Sequence, residues 1–582
     1  MTKKRILIIA LILAVAAAAA VLLIAMGSGK EYVITLIDNI PGHDTPRTVK
    51  VRAGENVTLP APDAREGYVL DGWFTDEGLT ELWTVPEEGL SEDLTLYAAW
   101  DPDTGDTPRD SDHDKNFTAL KTPGSQEEAY DYQVFFRPAV DGLRQPYVGD
   151  TMPYYEDGVY YIYYLKEDGD SYNHSIYLAT TTDFLTYKEY DDPIIEASRS
   201  GGQDAWVGTG SVVKIGDQYY FFYTGHNNSA TQAEAERILV AVGDSPLHFE
   251  KRTDWHISPP DSLGQKQDFR DPQAYLDSDG NIILTVTASQ SNVARILKYT
   301  VTPSLNGIAY DGIIFTNPVG NFWNLECSDT FRMGDTWYIT YSAQDDTLWY
   351  AASDQPYGPY GAPTRLDGKL FYAAKHVEDG ENVYMVGWAR RSESPSSTED
   401  VSAWGGNLII QKLVQRDDGS LALAPVDTIA DSFSLRRPLA TGASRAFLSA
   451  GAERVYADTF TCYESFKLTG AFSFTGKGSF GLSFDFMGQE NKKKLISISP
   501  AEETLSLRFN DGSTLIAQTG VSLKEGETYS FTYIQEGSVG TFYIDGLAAL
   551  TVRVYGASGK TIRLFAENGT VQFTQLREYT RP

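Results

Sequence analysis

The chain has 582 residues, of which 79 are acidic and 48 basic, for a formal net charge of −31. That length calls for three or four domains, and so acidic a surface repels phosphate backbones and anionic lipid, which argues against a nucleic-acid partner. Only two cysteines, Cys327 and Cys462, are present, and the seven histidines show no metal-ligand spacing, so neither a disulfide framework nor a metal or other cofactor is called for.

At the start of the chain, Lys3, Lys4 and Arg5 precede an uninterrupted apolar run of 21 residues, Ile6 to Met26. Such a run is long enough to cross a bilayer as a helix, and its basic flank stays inside. Residues 1–30 therefore read as a signal anchor or signal peptide. Everything after Lys30 is then extracellular, anchored at the cell surface or secreted, with this helix the sole contact with membrane. Residues 31–100 carry short alternating runs, such as Tyr32-Val-Ile-Thr-Leu-Ile and Leu94-Thr-Leu-Tyr-Ala-Ala-Trp, separated by Gly, Pro and Asp, which read as strands. This segment resembles the Listeria–Bacteroides (internalin B-type) repeat. The resemblance implies a small β-grasp-like module with a spacer or adhesion role. Residues 101–128, rich in Asp, Pro, Gly, Ser and Thr, read as a solvated linker.

Between 129 and 440 one pattern recurs five times, a Gly/Asp turn followed by an aromatic-rich strand. The copies begin at Asp157, Gly216, Asp279, Gly334 and Asp379, at intervals of 59, 63, 55 and 45 residues. A four-stranded propeller blade needs roughly 40 to 50 residues plus loops, so five copies predict a five-bladed β-propeller. The remainder, 441–582, is again strand-rich and predicts a β-sandwich. The fold class is thus all-β. Gly476-Lys-Gly-Ser-Phe-Gly matches a dinucleotide-binding pattern, but alternating strands flank it and no helix follows, so it reads as a hairpin turn.

Three acidic residues fall where a blade begins: Asp150 in Val-Gly-Asp-Thr-Met-Pro-Tyr, Asp271 in Asp-Phe-Arg-Asp-Pro, and Glu326 in Leu-Glu-Cys-Ser-Asp. A retaining glycosidase needs a carboxylate nucleophile and a carboxylic acid on the leaving oxygen, and a propeller can gather both from distant positions. With 79 acidic residues each signal is weak singly, but Arg-Asp-Pro and Glu-Cys in that order are specific. On these motifs the region resembles glycoside hydrolase family 32, the invertases, levanases and inulinases. The resemblance implies that Asp150 is the nucleophile, Asp271 the transition-state stabiliser and Glu326 the acid/base. Gly208-Thr-Gly-Ser, Asp367-Gly-Lys-Leu-Phe-Tyr-Ala-Ala and Gly387-Trp-Ala resemble further segments of that family. Together with the Arg-Asp-Pro and Glu-Cys motifs, they make Thr209, Ser211, Arg270, Cys327, Tyr372 and Trp388 candidate substrate-binding residues. Trp388 and Trp206 are both candidate sugar platforms, with core packing the favoured reading for Trp206, and Cys327 is a small uncharged neighbour, not a nucleophile.

The implied substrate is a fructan, a fructo-oligosaccharide or sucrose. Fructosyl transfer on the same scaffold, a family 43-like arabinosidase or xylosidase, and a non-catalytic sugar-binding adhesin remain alternatives. One departure from the family pattern bears on specificity. Gly149 stands where an Asn precedes the nucleophile, and Leu165 where a Gln often lies, which predicts a wider and less polar rim on one side of the pocket.

Overall fold

A computed structural model describes residues 30–42, 45–53, 57, 59–86, 89–103, 132–139, 147–168, 173–198, 201–229, 234–264, 268–318, 322–391, 403–486, 493–510, 515–555 and 557–582. The expected membrane or signal helix (apart from Lys30) and the linker beyond Asp103 lie outside the described residues. Among the described residues no helix is long and apolar enough to cross a membrane.

The amino-terminal module is one mixed sheet of four strands: Glu31–Ile37, Arg47–Arg52, Tyr68–Phe74 and Leu94–Pro102. The first and last strands pair in parallel at its centre, and Ile34, Leu36, Trp73, Leu96 and Trp100 form its core. The module is seated on the carboxy-terminal domain. Arg445 Nε donates to Asp71 Oδ2 at 3.1 Å and its NH2 to the Trp100 carbonyl at 2.8 Å, and the Ser444 hydroxyl donates to Asp101 at 2.6 Å.

Five four-stranded antiparallel sheets follow in succession, each built in chain order. Their inner strands are Thr151–Glu156, Trp206–Ile215, Phe269–Leu276, Leu325–Met333 and Phe371–Glu378. Each inner strand packs on the next and the fifth packs back on the first, so the sheets close into a ring. The five repeated turns join the inner strand of each sheet to its second strand. In the first, Asp157 and Gly158 have φ of 51° and 84°, the left-handed pair that a two-residue hairpin requires. Because neighbouring sheets cover both faces, the second strands lose their polar alternation: residues 219–225 of Gln218–His226 are all buried. Residues ahead of the first sheet complete the ring against Ala403–Gln415 of the fifth. Val148 and Gly406 exchange backbone hydrogen bonds at 2.9 and 2.8 Å, and Leu408 N donates to the Phe136 carbonyl at 2.8 Å.

The carboxy-terminal domain pairs a seven-stranded with a six-stranded sheet around Phe466, Phe472, Leu482, Phe531, Phe542 and Phe573. Its first strand is Leu435–Arg437, six residues ahead of the expected boundary at 441. The Gly476-Lys-Gly-Ser-Phe-Gly segment is no hairpin. It links Ser465–Thr475 in one sheet to Ser479–Phe486 in the other. Gly478 is needed there because a Cβ would lie 2.1 Å from the Glu567 carbonyl oxygen. Arg553 fastens this domain to the ring, donating to the carbonyl of Arg390 at 2.8 Å and to the Asn407 side chain at 2.8 Å.

Candidate active site

Inner strands of the ring break register at the same depth. Pairing slips between Arg270 and Gln273, between Glu326 and Asp329, and between Tyr372 and Lys375. The first residue of each slip has a left-handed backbone: φ is 57° at Asp271, 51° at Cys327 and 51° at Ala373. In the second sheet Thr209 is the residue left over, between Gly208 and Gly210. A bulge sharpens the twist of a strand and re-aims the side chains beside it. A non-glycine residue in this region costs on the order of 1 kcal/mol or more, a strain that clusters at functional sites.

The slips fall at two of three carboxylates, Asp271 and Glu326, which a chain of contacts joins to Asp150. Asp150, which precedes the first inner strand, accepts the indole N–H of Trp388 at 3.1 Å and the hydroxyl of Thr209 at 3.0 Å. Asp271 accepts the backbone N–H of Cys327 at 2.8 Å, while its own N–H donates to Thr224 Oγ1 at 2.9 Å. Glu326 accepts Arg270 NH2 at 2.9 Å on one oxygen and the Tyr372 hydroxyl on the other. Thr209 closes the chain of contacts, its Oγ1 lying 3.7 Å from Cys327 Sγ.

Burial pushes Asp150 above the usual carboxylate range and the charge of Glu326 adds to this, against the hydrogen bonds from Trp388 and Thr209. Burial likewise lifts Asp271 to about 7, with the Arg270 guanidinium opposing. The buried Cys327 thiol is pushed well up, chiefly by burial, which disfavours the thiolate that a nucleophile would require.

Around this centre lie residues that the sequence did not single out. Lys375 is buried and donates to the Gly210 carbonyl at 2.9 Å and to Gln273 at 3.3 Å; its charge favours ionised Asp150. Glu236 accepts the Phe269 N–H at 2.7 Å and lies 3.4 Å from Arg270 NH1 and 3.3 Å from His226 Nδ1. Arg270 also donates to Asp268 at 3.0 Å. It is therefore spent on Glu236, Asp268, Glu326 and, at 3.9 Å, Asp271, not on Asp150. These partners are separated by tens of residues, and no local motif announces them.

Thr209, Arg270 and Tyr372 touch the carboxylates, and Cys327 reaches Asp271 through its backbone. Ser211 does not join them. Its hydroxyl donates to the Pro272 carbonyl at 3.0 Å and accepts the Ala274 N–H at 2.7 Å, tying the second sheet to the third. The two candidate platform tryptophans differ sharply in exposure. Trp388, on a second strand covered by both neighbouring sheets, is 0% exposed and offers Asp150 only its N–H, whereas Trp206, the first residue of an inner strand, is 45% exposed. The rim beside Gly149 is not widened either. A Cβ there would lie 2.2 Å from the Trp404 ring, so the indole fills the space. Leu165 is buried among Met152, Tyr163 and Ile176.

Comparison with known proteins accords with this geometry. Residues 150–425 match the N-terminal domain of the glycosyl hydrolases family 32, and residues 32–99 match the Listeria-Bacteroides repeat domain. The chain is 23% identical to sucrose-6-phosphate hydrolase of Escherichia coli over 417 residues, covering 67% of this chain and 83% of that one. The exo-inulinase of Aspergillus awamori superposes with a TM-score of 0.61 at 15% identity, over 77% of this chain and 98% of the other. Sucrose-6-phosphate hydrolase of Lactobacillus gasseri does so at 0.58 and 16% identity, over 81% and 99%. At these identities the structural likeness speaks for the fold.

Proposed function

Residues 150–425 belong to glycoside hydrolase family 32, and from that premise we propose that the chain is a retaining glycosidase that cleaves terminal β-fructosidic bonds on a five-bladed propeller. The observation that carries the catalytic assignment is the convergence of Asp150, Asp271 and Glu326 from the first, third and fourth sheets. They are joined by Trp388, Thr209, Cys327, Arg270 and Tyr372.

Asp150 attacks the anomeric carbon while Glu326 gives its proton to the departing oxygen. Glu326 then takes a proton from the water that releases the fructosyl unit from Asp150. Trp388 and Thr209 hold one oxygen each of Asp150 and fix its line of attack. Asp271 accepts sugar hydroxyls, contacts that strengthen as positive charge develops on the ring. Arg270 and Tyr372 orient Glu326 between its two tasks.

The substrate class is a neutral fructoside: sucrose, a fructo-oligosaccharide or a fructan. Two relatives are named sucrose-6-phosphate hydrolases, yet Arg270 is already engaged by four carboxylates and Arg390 by Asp346 at 2.8 Å. The basic and apolar start of the chain and the repeat that follows support a place at the cell surface.

The test is D150N and E326Q on a panel of β-fructosides, with methanol as competing acceptor. Each substitution lowers kcat by about a thousandfold or more with the thermal midpoint kept, and the unsubstituted enzyme yields the β-methyl fructoside. A D150N variant with more than a tenth of the activity, or recovery of the α anomer, rejects the mechanism.

A further inference from the structure

From the carboxylates outward, aromatic rings form an unbroken row to solvent. Trp388, whose N–H meets Asp150 at 3.1 Å, lies 6.2 Å from Trp404 between ring centres. Trp404 stacks on His174 at 4.2 Å with 9° between planes, His174 lies 6.2 Å from Trp206, and Trp206 lies 6.0 Å from its cross-strand neighbour His226. Exposure grows along the row, from 0% at Trp388 to 45% at Trp206. Across the mouth a second exposed indole, Trp323 at 40%, lies with its ring centre 5.8 Å from the Arg270 guanidinium.

We propose that this row is a binding wall for sugar units beyond the fructosyl residue being cleaved, with Trp206 as the platform for the outer units. The inference rests on the β-fructosidase reading and deepens it, because it makes the chain length of a neutral oligosaccharide the determinant of specificity. An indole held at the surface leaves apolar area in water, a cost that packing in the core would have avoided. Its flanking ring is anchored: His226 is held by Glu236, which accepts the Phe269 N–H in turn. A rigid aromatic face binds the apolar C–H face of a sugar with little ordering cost. Flanking imidazoles supply hydrogen-bonding edges for hydroxyls. The row also explains the missing polar group at position 149, since Trp404 occupies the space that side chain would need. A phosphorylated ligand would find Arg270 already committed.

The experiment compares the unsubstituted full chain with W206A and W206F on sucrose, the trisaccharide 1-kestose and the tetrasaccharide nystose. For the unsubstituted enzyme kcat/KM rises with chain length. In W206A the ratio of nystose to sucrose falls at least fivefold, through KM, and W206F keeps at least half of the original ratio. A ratio within twofold of the original in W206A overturns the inference, as does an equal loss on all three sugars, which marks a structural role. If the unsubstituted enzyme cleaves no fructoside at all, the underlying reading falls and this one with it. Cleavage with an unchanged ratio removes this inference alone.

Discussion

Beside Asp150, Gly149 has neighbours on two sides. A Cβ would meet Trp404 at 2.2 and 2.3 Å and the Leu165 carbonyl oxygen at 2.9 Å. Overpacking of this kind costs about 1 to 3 kcal/mol. Because Asp150 follows directly, the backbone shift that relieves the clash also displaces the carboxylate. G149A therefore loses stability and at least tenfold in kcat, and adding W404L restores part of the thermal midpoint; no recovery in the double variant would show that the indole is not the obstacle. Asp271 offers a test by pH. Its pKa rises from 3.8 to about 7 on folding, chiefly through burial. Between those values the folded chain holds a proton that the unfolded chain releases. The stability so gained is full below pH 4 and lost as the pH climbs through 7, at roughly 1.4 kcal/mol for each pH unit climbed. D271N carries no charge at any pH, so it is inactive yet melts a few degrees above the unsubstituted protein at pH 8. The gap closes at pH 4. Equal gaps at both values would place the origin elsewhere.

Among elements, the inner strands owe their function to bulges and their position to what is packed behind them. The repeat was legible because a Gly/Asp turn and an aromatic strand are local signals, and each copy does join the first two strands of a sheet. Asp150, Asp271 and Glu326 could be placed at blade starts for the same reason. The bulges at Asp271, Cys327 and Ala373 leave no such mark, since residues without special backbone freedom occupy them. Nor could the fates of Trp206 and Trp388 be read, because exposure here depends on which sheets stack over each strand. Trp404 and Gly149 lie 255 positions apart (404 − 149) and meet only when the ring closes. One carboxylate secures that closure from behind. Glu536, at the end of Tyr529–Glu536, accepts the N–H groups of Gln133, Val134 and Phe135 at 2.8, 2.6 and 3.2 Å and pairs with Arg581 at 2.6 Å. A Gln there loses the charge: its Oε1 can still accept the three N–H groups, but its Nε2 then faces the Arg581 guanidinium donor. Breaking a buried pair of this type costs about 3 kcal/mol, so E536Q lowers the thermal midpoint by several degrees, whereas a midpoint within one degree of the original would make the cluster incidental.

Across the whole molecule, charge decides which substrates approach. The net charge of −31 sets up a field that reaches about 10 Å at 0.1 M salt and further when salt is dilute. Neutral sugars cross it without penalty, while a phosphate is repelled before contact and again by the carboxylates at the mouth. Local cations do not reverse the field. Arg270 serves Glu236, Asp268, Asp271 and Glu326, Arg390 serves Asp346, and Lys375 lies below the surface on the Gly210 carbonyl. A phosphate could recruit Arg270 only by drawing it from the buried Glu236 and Asp271 carboxylates, at a cost of several kcal/mol, and Arg390 only by drawing it from Asp346. The enzyme therefore prefers sucrose to its 6-phosphate by at least tenfold in kcat/KM. The preference widens as ionic strength falls from 0.2 to 0.02 M, because only the charged substrate feels the change in screening. Equal specificity constants, or a preference for the phosphorylated sugar that grows in dilute salt, would show that a cationic subsite outweighs the acidic surface.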